Sequence, residues 1–270
     1  MKIKKIIMCV LAAACMAFTA GCAAEESTEG NIKDIVLQNG DKIAEFNIEG
    51  YGTIKAKLLP EVAPEGVENF VKLADSGFYD GLTVHRVMSD FMLQGGSLNG
   101  DGTGGKAADG GSFGVEINKE ARHFYGALCY ANAAGQNTCQ FYIVNNKKPQ
   151  DLSTFDIQGI KDTAAIFKTY KEMCQVGTDA YSYYEVMEKY YTNMADFIEN
   201  ASDDVKSKYL EVGGTPSLDG GYTVFGQVYE GFDVIDSISA CEVELNSGGE
   251  NSKPVETITI TSVKVTEYTE

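Results

Sequence analysis

The stretch that decides the fold is Phe78-Tyr79-Asp80-Gly81-Leu82-Thr83-Val84-His85-Arg86-Val87-Met88-Ser89-Asp90-Phe91-Met92-Leu93-Gln94-Gly95-Gly96, followed by a glycine-rich loop to Gly111. Gly95-Gly96 and the glycines from Gly100 to Gly111 could suggest a phosphate cradle. No Gly-Lys-Ser/Thr run follows them, nor a helical pattern of the right kind. A loop that must approach other backbone closely is the expected reading. His85 beside Arg86 suggests a general base. Neighbouring strand residues point to opposite faces, however, so if Arg86 faces a site, His85 points away from it and is expected to be structural, with a groove-lining role as the alternative.

Working outward, Ile35 to Leu59 reads as strands, with Asn39-Gly40 as a turn signal flanked by Ile35/Val36 and Ile43. Ile54, Ala56 and Leu58 alternate with Lys55 and Lys57, the pattern of a half-buried strand. Pro64 opens a helix at a position where proline is welcome, Val67, Phe70, Val71 and Ala74 continue it, and Gly77 stops it. Further strand-like runs are Ala127 to Ala131, Gln140 to Val144, Tyr222 to Val228 and Val255 to Val265. Between Asn146 and Gly213 the texture turns helical. Asp162/Thr163 can cap a segment carrying Ile166, Phe167, Tyr170, Met173 and Cys174; Ser182 with Glu185 resembles a capping box; Ser202-Asp203-Asp204 starts a third helix. The tyrosine-rich stripe from Tyr181 to Tyr191 reads as packing, with a recognition surface as the alternative. A β-rich chain is thus interrupted by an α-helical insert.

The run from Phe78 to Gly96 resembles the cyclophilin signature, approximately FYDG-x-x-FHRVI-x-x-FMIQGGD. Three further segments agree in order. Gly126 to Ala133 is similar to G-x-L-S-M-A-N-A, Gln140 to Ile143 to Q-F-F-I, and Leu218 to Gly226 to L-D-G-x-Y-T-V-F-G. Together they cover about 50–145 and 214–265 of the chain. The resemblance implies a mainly β fold: a closed eight-stranded antiparallel barrel with two capping helices, one at Pro64 and one near Gly231 to Ile238. Its two parts would be 32–145 and 214–270, with the insert at 146–213. It also implies peptidyl-prolyl cis–trans isomerase activity. Arg86 matches the catalytic arginine, and Phe91, Met92, Tyr142 and Leu218 match the lining of the proline pocket. Gln94 matches a glutamine that hydrogen-bonds the substrate backbone, and Ala131, Asn132 and Gln140 match groove residues. His123 matches a family histidine on the barrel and is expected to pack. No cofactor or metal is expected.

The chemistry suits these residue types. An Xaa-Pro amide resists rotation by about 18–20 kcal/mol because its C–N bond has partial double-bond character. No bond is made or broken, so an enzyme need only favour the twisted amide over both planar forms. The twisted nitrogen regains a lone pair, and a fixed donor aimed at it is stronger in the transition state than in the ground state. Arginine is always charged and its fork is rigid.

The sequence departs from the family in four places. Tyr142 replaces a phenylalanine in the proline pocket, adding a hydroxyl that must find a partner. Ser217 stands where many relatives carry Trp or His, which removes a ring wall and argues for poor binding of cyclosporin-type ligands. The stretch from Ala134 to Cys139 is about one residue short. The 146–213 insert lies between two groove-forming segments, where it could extend recognition or partly cover the groove.

The amino terminus reads as an address. Lys2, Lys4 and Lys5 precede an apolar run from Ile6 to about Ala17, too short for a comfortable membrane span. Ala20-Gly21-Cys22 resembles the bacterial lipobox, although Thr19 replaces its usual leucine. Residues 1–21 are therefore expected to be a signal peptide and Cys22 a lipidated first residue, with 22–31 as a flexible tether. That predicts an extracytoplasmic protein held to the bacterial cell membrane by its lipid anchor alone. The formal charge is −17, and losing the three leader lysines moves it to −20. This argues against nucleic acid as a partner. Of the seven cysteines, Cys129, Cys139, Cys174 and Cys241 lie in the domain, without CxxC spacing, and read as buried free thiols. The expected partners are proline-containing polypeptides, met by a monomer.

Two functions from different classes remain: an extracytoplasmic folding catalyst, and a tethered peptide-binding or chaperone module with weak or no isomerase activity. A lipid-anchored solute-binding protein would fit the leader but lacks the alternating βα pattern.

Overall fold

Alternating apolar residues build the first hairpin of the computed structural model, which describes residues 30–270; the leader, Cys22 and most of the tether lie outside the described residues. Strands β1 (Lys42–Ile48) and β2 (Gly52–Leu58) pair with Phe46 opposite Ile54 and Ala44 opposite Ala56, both pairs buried. The hairpin turns at Glu49 to Tyr51, not at Asn39-Gly40. Asn39-Gly40 instead precedes β1, where the Gly40 amide donates to the Tyr268 carbonyl at 3.0 Å. Ile35 and Val36 belong to no strand, and Val36 is exposed.

Helix α1 (Pro64–Asp75) follows with Pro64 in its first turn and buries Val67, Phe70, Leu73 and Ala74 on one face. Then come β3 (Val84–Met88), β4 (Met92–Gly95), β5 (Phe113–Gly114), β6 (Ala127–Ala133) and β7 (Gln136–Val144). The insert supplies α2 (Ile157–Glu172), α3 (Asp179–Glu199) and α4 (Asp203–Val212). The chain returns through β8 (Val224–Glu230), α5 (Phe232–Ser239), β9 (Val243–Leu245), β10 (Asn251–Pro254) and β11 (Ile260–Glu267).

One antiparallel sheet runs in the order β11-β1-β2-β8-β6-β7-β4-β3, with β5 paired to β7 off that path, and β9 and β10 form a separate ribbon. The sheet curls until its end strands approach. Instead of a continuous ladder, the contact between them is a single Thr83–Thr259 bridge with the hydrogen bonds Gly81 N–H to Ile260 O, Ile260 N–H to Leu82 O and Val84 N–H to Ile258 O. The structure thus shows a curled antiparallel sheet and not the closed eight-stranded barrel expected from the sequence, because the end strands share one bridge in place of a ladder. α1 and α5 pack on the sheet, as expected of two capping helices. Phe70 carries the first contact, its ring centroid 5.2 Å from those of both Tyr79 and Phe225.

The insert packs against Phe124, in the segment just before β6, through a second apolar cluster that includes Leu152, Met194, Ile198, Val205 and Tyr209. Phe124 and Tyr209 lie 4.5 Å apart between ring centroids. Two helix starts differ from expectation. Asp156, not Asp162, caps α2 by accepting from the Gly159 amide, and the Thr163 hydroxyl donates to the Gly159 carbonyl inside the helix. Thr178, not Ser182, caps α3 by accepting from the Tyr181 amide. In both cases an earlier side chain already satisfies the open amides, so the helix begins one turn or more sooner. α4 starts as expected, with Ser202 as its cap. Cys129 and Cys139 are buried free thiols, whereas Cys174 and Cys241 are half-buried. Among the described residues no helix is long and apolar enough to cross a membrane.

Candidate active site

Strands β3, β4, β6 and β7 converge on a cavity of about 180 Å³ lined by Arg86, Phe91, Met92, Gln94, Ala131, Asn132, Tyr142, Leu218 and Tyr222. All but Tyr222 were expected from the sequence. Gln140 is not on the wall. It stands behind Gln94, accepting from Gln94 Nε2 at 3.1 Å and donating to the Gly102 carbonyl at 2.9 Å, so it ties the wall to the glycine-rich loop. The loop approaches the sheet closely, as expected. A Cβ at Gly96, whose φ is +80°, would come 2.8 Å from the Cys139 carbonyl oxygen, and one at Gly105 would collide with the Cys139 sulfur.

Antiparallel pairing of β3 with β4 sets Arg86 opposite Gln94. Arg86 Nη1 donates to Gln94 Oε1 at 3.3 Å, and its guanidinium carbon lies 5.8 Å from the Phe91 ring centroid. The strongest partner was not expected. Glu250 accepts from Nε at 2.6 Å and from Nη2 at 2.8 Å, a bidentate pair between side chains 27% and 37% exposed. The Arg86 hydrogen bond holds the Glu250 carboxyl down to about 2. Asn246-Ser247-Gly248-Gly249 reads as a turn from composition, but nothing local says that it delivers a carboxylate to a strand 164 residues away. Phe91 is pinned from behind, since Asn145 Oδ1 accepts from its amide at 2.7 Å.

The extra hydroxyl of Tyr142 has a partner. It donates to His123 Nε2 at 2.9 Å, which leaves His123 Nδ1 to donate to Asp219 Oδ1 at 2.9 Å. Asp219 also accepts from the His123 amide, from the Tyr209 hydroxyl at 2.8 Å and from Arg122 at 3.3 Å. His123 thus packs beneath the pocket, and α4 contributes Tyr209 to the same network. Where Ser217 leaves no ring, Tyr222 forms the wall instead, with Tyr142 and Tyr190 edge-on to it at 6.1 Å each. Tyr190 of α3 donates its hydroxyl to the Ser217 carbonyl at 2.6 Å. The tyrosine stripe therefore does part of its packing against the back of the pocket.

His85 lies away from the cavity, under the glycine-rich loop, where a Cβ on Gly102 would sit 3.8 Å from its Nε2. Both ring nitrogens are buried with no hydrogen-bond partner among the described residues. Burial, helped by the Arg86 charge, lowers its pKa to about 4; a backbone group of Thr83 works against that shift without reaching hydrogen-bonding geometry. Between pH 6.5 and about 4 the unfolded chain takes up a proton that the folded chain refuses. The contribution of His85 to stability is complete above pH 6.5 and declines as pH falls through this window. In urea titrations at pH 7.5 and 5, His85→Phe should lose less stability on acidification than the parent, by about 1–2 kcal/mol. An identical pH response would show that His85 is protonated as readily in the fold as outside it.

A curled antiparallel sheet thus carries an arginine, held by Glu250 and Gln94, at the edge of a pocket lined by both apolar and polar side chains. The chain matches the model of the cyclophilin type peptidyl-prolyl cis-trans isomerase/CLD family over residues 43–265 and belongs to that family. It is similar to a protein of Staphylococcus saprophyticus named "Putative peptidyl-prolyl cis-trans isomerase", 36% identical over 230 residues, covering 85% of this chain and 94% of the relative. A similarly named protein of Staphylococcus haemolyticus is 36% identical over 216 residues, 79% of this chain and 86% of its own. Among solved structures, a cyclophilin type peptidyl-prolyl cis-trans isomerase of Cryptosporidium parvum, crystallised in the presence of the dipeptide Ala-Pro, shares the fold with a TM-score of 0.54 at 20% identity, covering 84% of this chain and 99% of that one.

Proposed function

We propose that this protein isomerises Xaa-Pro bonds in polypeptides and that Arg86 favours the twisted amide by donating a hydrogen bond to its pyramidal nitrogen. The observation that carries the reading is the placement of Arg86 Nη1, shared with Gln94 at the edge of a cavity of about 180 Å³ that Phe91, Met92, Tyr142 and Leu218 also line. Phe91, Met92, Tyr142 and Leu218 would grip the ring while the remainder of the peptide turns. Gln94 and the backbone at Asn132 would hold the flanking peptide beside Ala131, with Gln140 steadying Gln94. The lipobox-like residues before Cys22 support a lipid-anchored, extracytoplasmic enzyme acting on secreted or surface proteins.

Exposed apolar residues on the insert, Ile166, Tyr170, Met173, Val176 and Tyr183, favour a second reading, a tethered holding module. The exchange of cis and trans Ala-Pro in a tetrapeptide, followed by NMR, separates the two. The enzyme reading expects acceleration at micromolar protein. Unaccelerated exchange, together with suppressed aggregation of an unfolded client, would leave the holding module.

A further inference from the structure

We propose that Glu250 is a positioning residue of this site: its carboxylate, carried on the turn between β9 and β10, holds Arg86 by its back edge and so presents Nη1 to the proline pocket. The proposal rests on the isomerase reading above.

The five N–H donors of the guanidinium are unevenly distributed. Nε and one Nη2 hydrogen go to Glu250 at 2.6 and 2.8 Å, the short distances of charge-assisted bonds. The opposite edge meets only weak acceptors: Gln94 Oε1 at 3.3 Å and Met92 Sδ at 3.5 Å from Nη1, and Met88 Sδ at 3.0 Å from Nη2. A substrate can displace a thioether, whereas it could not displace a bidentate carboxylate at small cost. The strong partner therefore lies off the cavity, whereas the two weak partners of Nη1, Gln94 and Met92, line it. Glu250 itself is not among the residues that line the cavity, so it does not compete for the proline.

The turn is constructed to keep the carboxylate there. Asn246 Oδ1 accepts from the amides of Gly248 at 2.9 Å and Glu250 at 3.0 Å, the Asn246 amide donates to the Glu250 carbonyl at 2.8 Å, and Asn246 Nδ2 donates to Ser252 Oγ at 3.1 Å. The carboxyl stays ionised down to about pH 2, so the pair is intact wherever the enzyme would be assayed. An arginine without such a partner would spread over several rotamers, and its donor would meet the amide nitrogen only part of the time. The carboxylate also offsets some of the arginine's charge. Twisting creates a directional lone pair, not a full negative charge, so alignment outweighs the lost field.

The test uses the mature protein and an Ala-Pro tetrapeptide, with NMR line shapes separating binding from turnover. Glu250→Gln keeps the shape and removes the charge. It should lower kcat and kcat/KM together by about tenfold with KM nearly unchanged, the pattern of an interaction felt in the transition state. Glu250→Asp should recover part of the loss, and it serves if Glu250→Gln folds poorly. The Arg86 Nε–H resonance, protected in the parent, should exchange rapidly in Glu250→Gln. In an Arg86→Ala background the same substitution should leave the residual rate unchanged, since Glu250 acts only through Arg86. Parent-like or faster turnover in Glu250→Gln, or a loss that persists in the Arg86→Ala background, would overturn the proposal while the isomerase reading stands. A parent protein without isomerase activity would instead remove that reading and the proposal with it.

Discussion

Arg86→Ala is expected to lower kcat/KM for proline isomerisation by about 100- to 1000-fold, the usual effect of removing one preorganised transition-state donor. The fold should survive. Arg86 and Glu250 have side chains 27% and 37% exposed, so the carboxylate left behind can be hydrated by a small adjustment of its turn. Removing a partner of this kind costs far less than opening a buried pair. The cavity keeps Phe91, Met92, Tyr142 and Leu218, so on the proposed reading peptide binding should change much less than turnover. Arg86→Lys should recover little. An ammonium has no planar fork to satisfy Glu250 at two points while sending a third donor toward Gln94. Isomerase rates and peptide affinity measured on the same preparations check this. A parent-like rate in Arg86→Ala would mean that the pocket walls, without the rim donor, carry the reaction.

The second large effect concerns stability. Asp219→Ala should destabilise the fold by about 3–5 kcal/mol, because it leaves a buried charge without its counter-charge. Asp219 is 1% exposed and Arg122 is 3% exposed. The carboxylate takes hydrogen bonds from the His123 amide and ring, the Tyr209 hydroxyl and Arg122. Its removal orphans several of these donors in one step. For a chain of this size the melting temperature should fall by about 6–15 °C. Asp219→Asn, which retains acceptor capacity on one side, should cost less. Because His123 also supports the Tyr142 hydroxyl, the surviving folded fraction of Asp219→Ala should bind proline peptides more weakly. Calorimetry and peptide titration read the two consequences separately, and a melting temperature within 2–3 °C of the parent's, about 1 kcal/mol at this size, would show that the network is dispensable.

Much of this was legible beforehand because it is written locally. The alternation of Ile54, Ala56 and Leu58, the Pro64 helix start and the stretch from Phe78 to Gly96 each depend on residues near one another in the chain. The pocket residues Arg86, Phe91, Met92, Gln94, Ala131, Asn132, Tyr142 and Leu218 followed from ordered motifs, and the structure brings them to one cavity. The misreadings were local competitions with more than one solution. Asp156 and Asp162 are both plausible caps for α2, and packing of Ile157 and Ile160 against the second apolar cluster selects the earlier one. Asn39-Gly40 is a good turn signal, but whether a turn joins two strands depends on what its flanks pair with.

The arginine of the opening stretch shows the division most clearly. The sequence, through motifs that resemble a family signature, assigned Arg86, Gln94 and the pocket residues Phe91, Met92, Tyr142 and Leu218 to one site, because those motifs are read from residues near one another in the chain. Only the tertiary structure decided what holds Arg86. Glu250 is 164 residues away, Tyr222 replaces the ring that Ser217 lacks, and Tyr190 and Tyr209 reach the pocket's back wall from an insert with its own apolar core. Ion pairs and hydrogen bonds between distant segments leave no period or spacing in the chain, because their geometry is set only when the curled sheet brings those segments within a few ångströms.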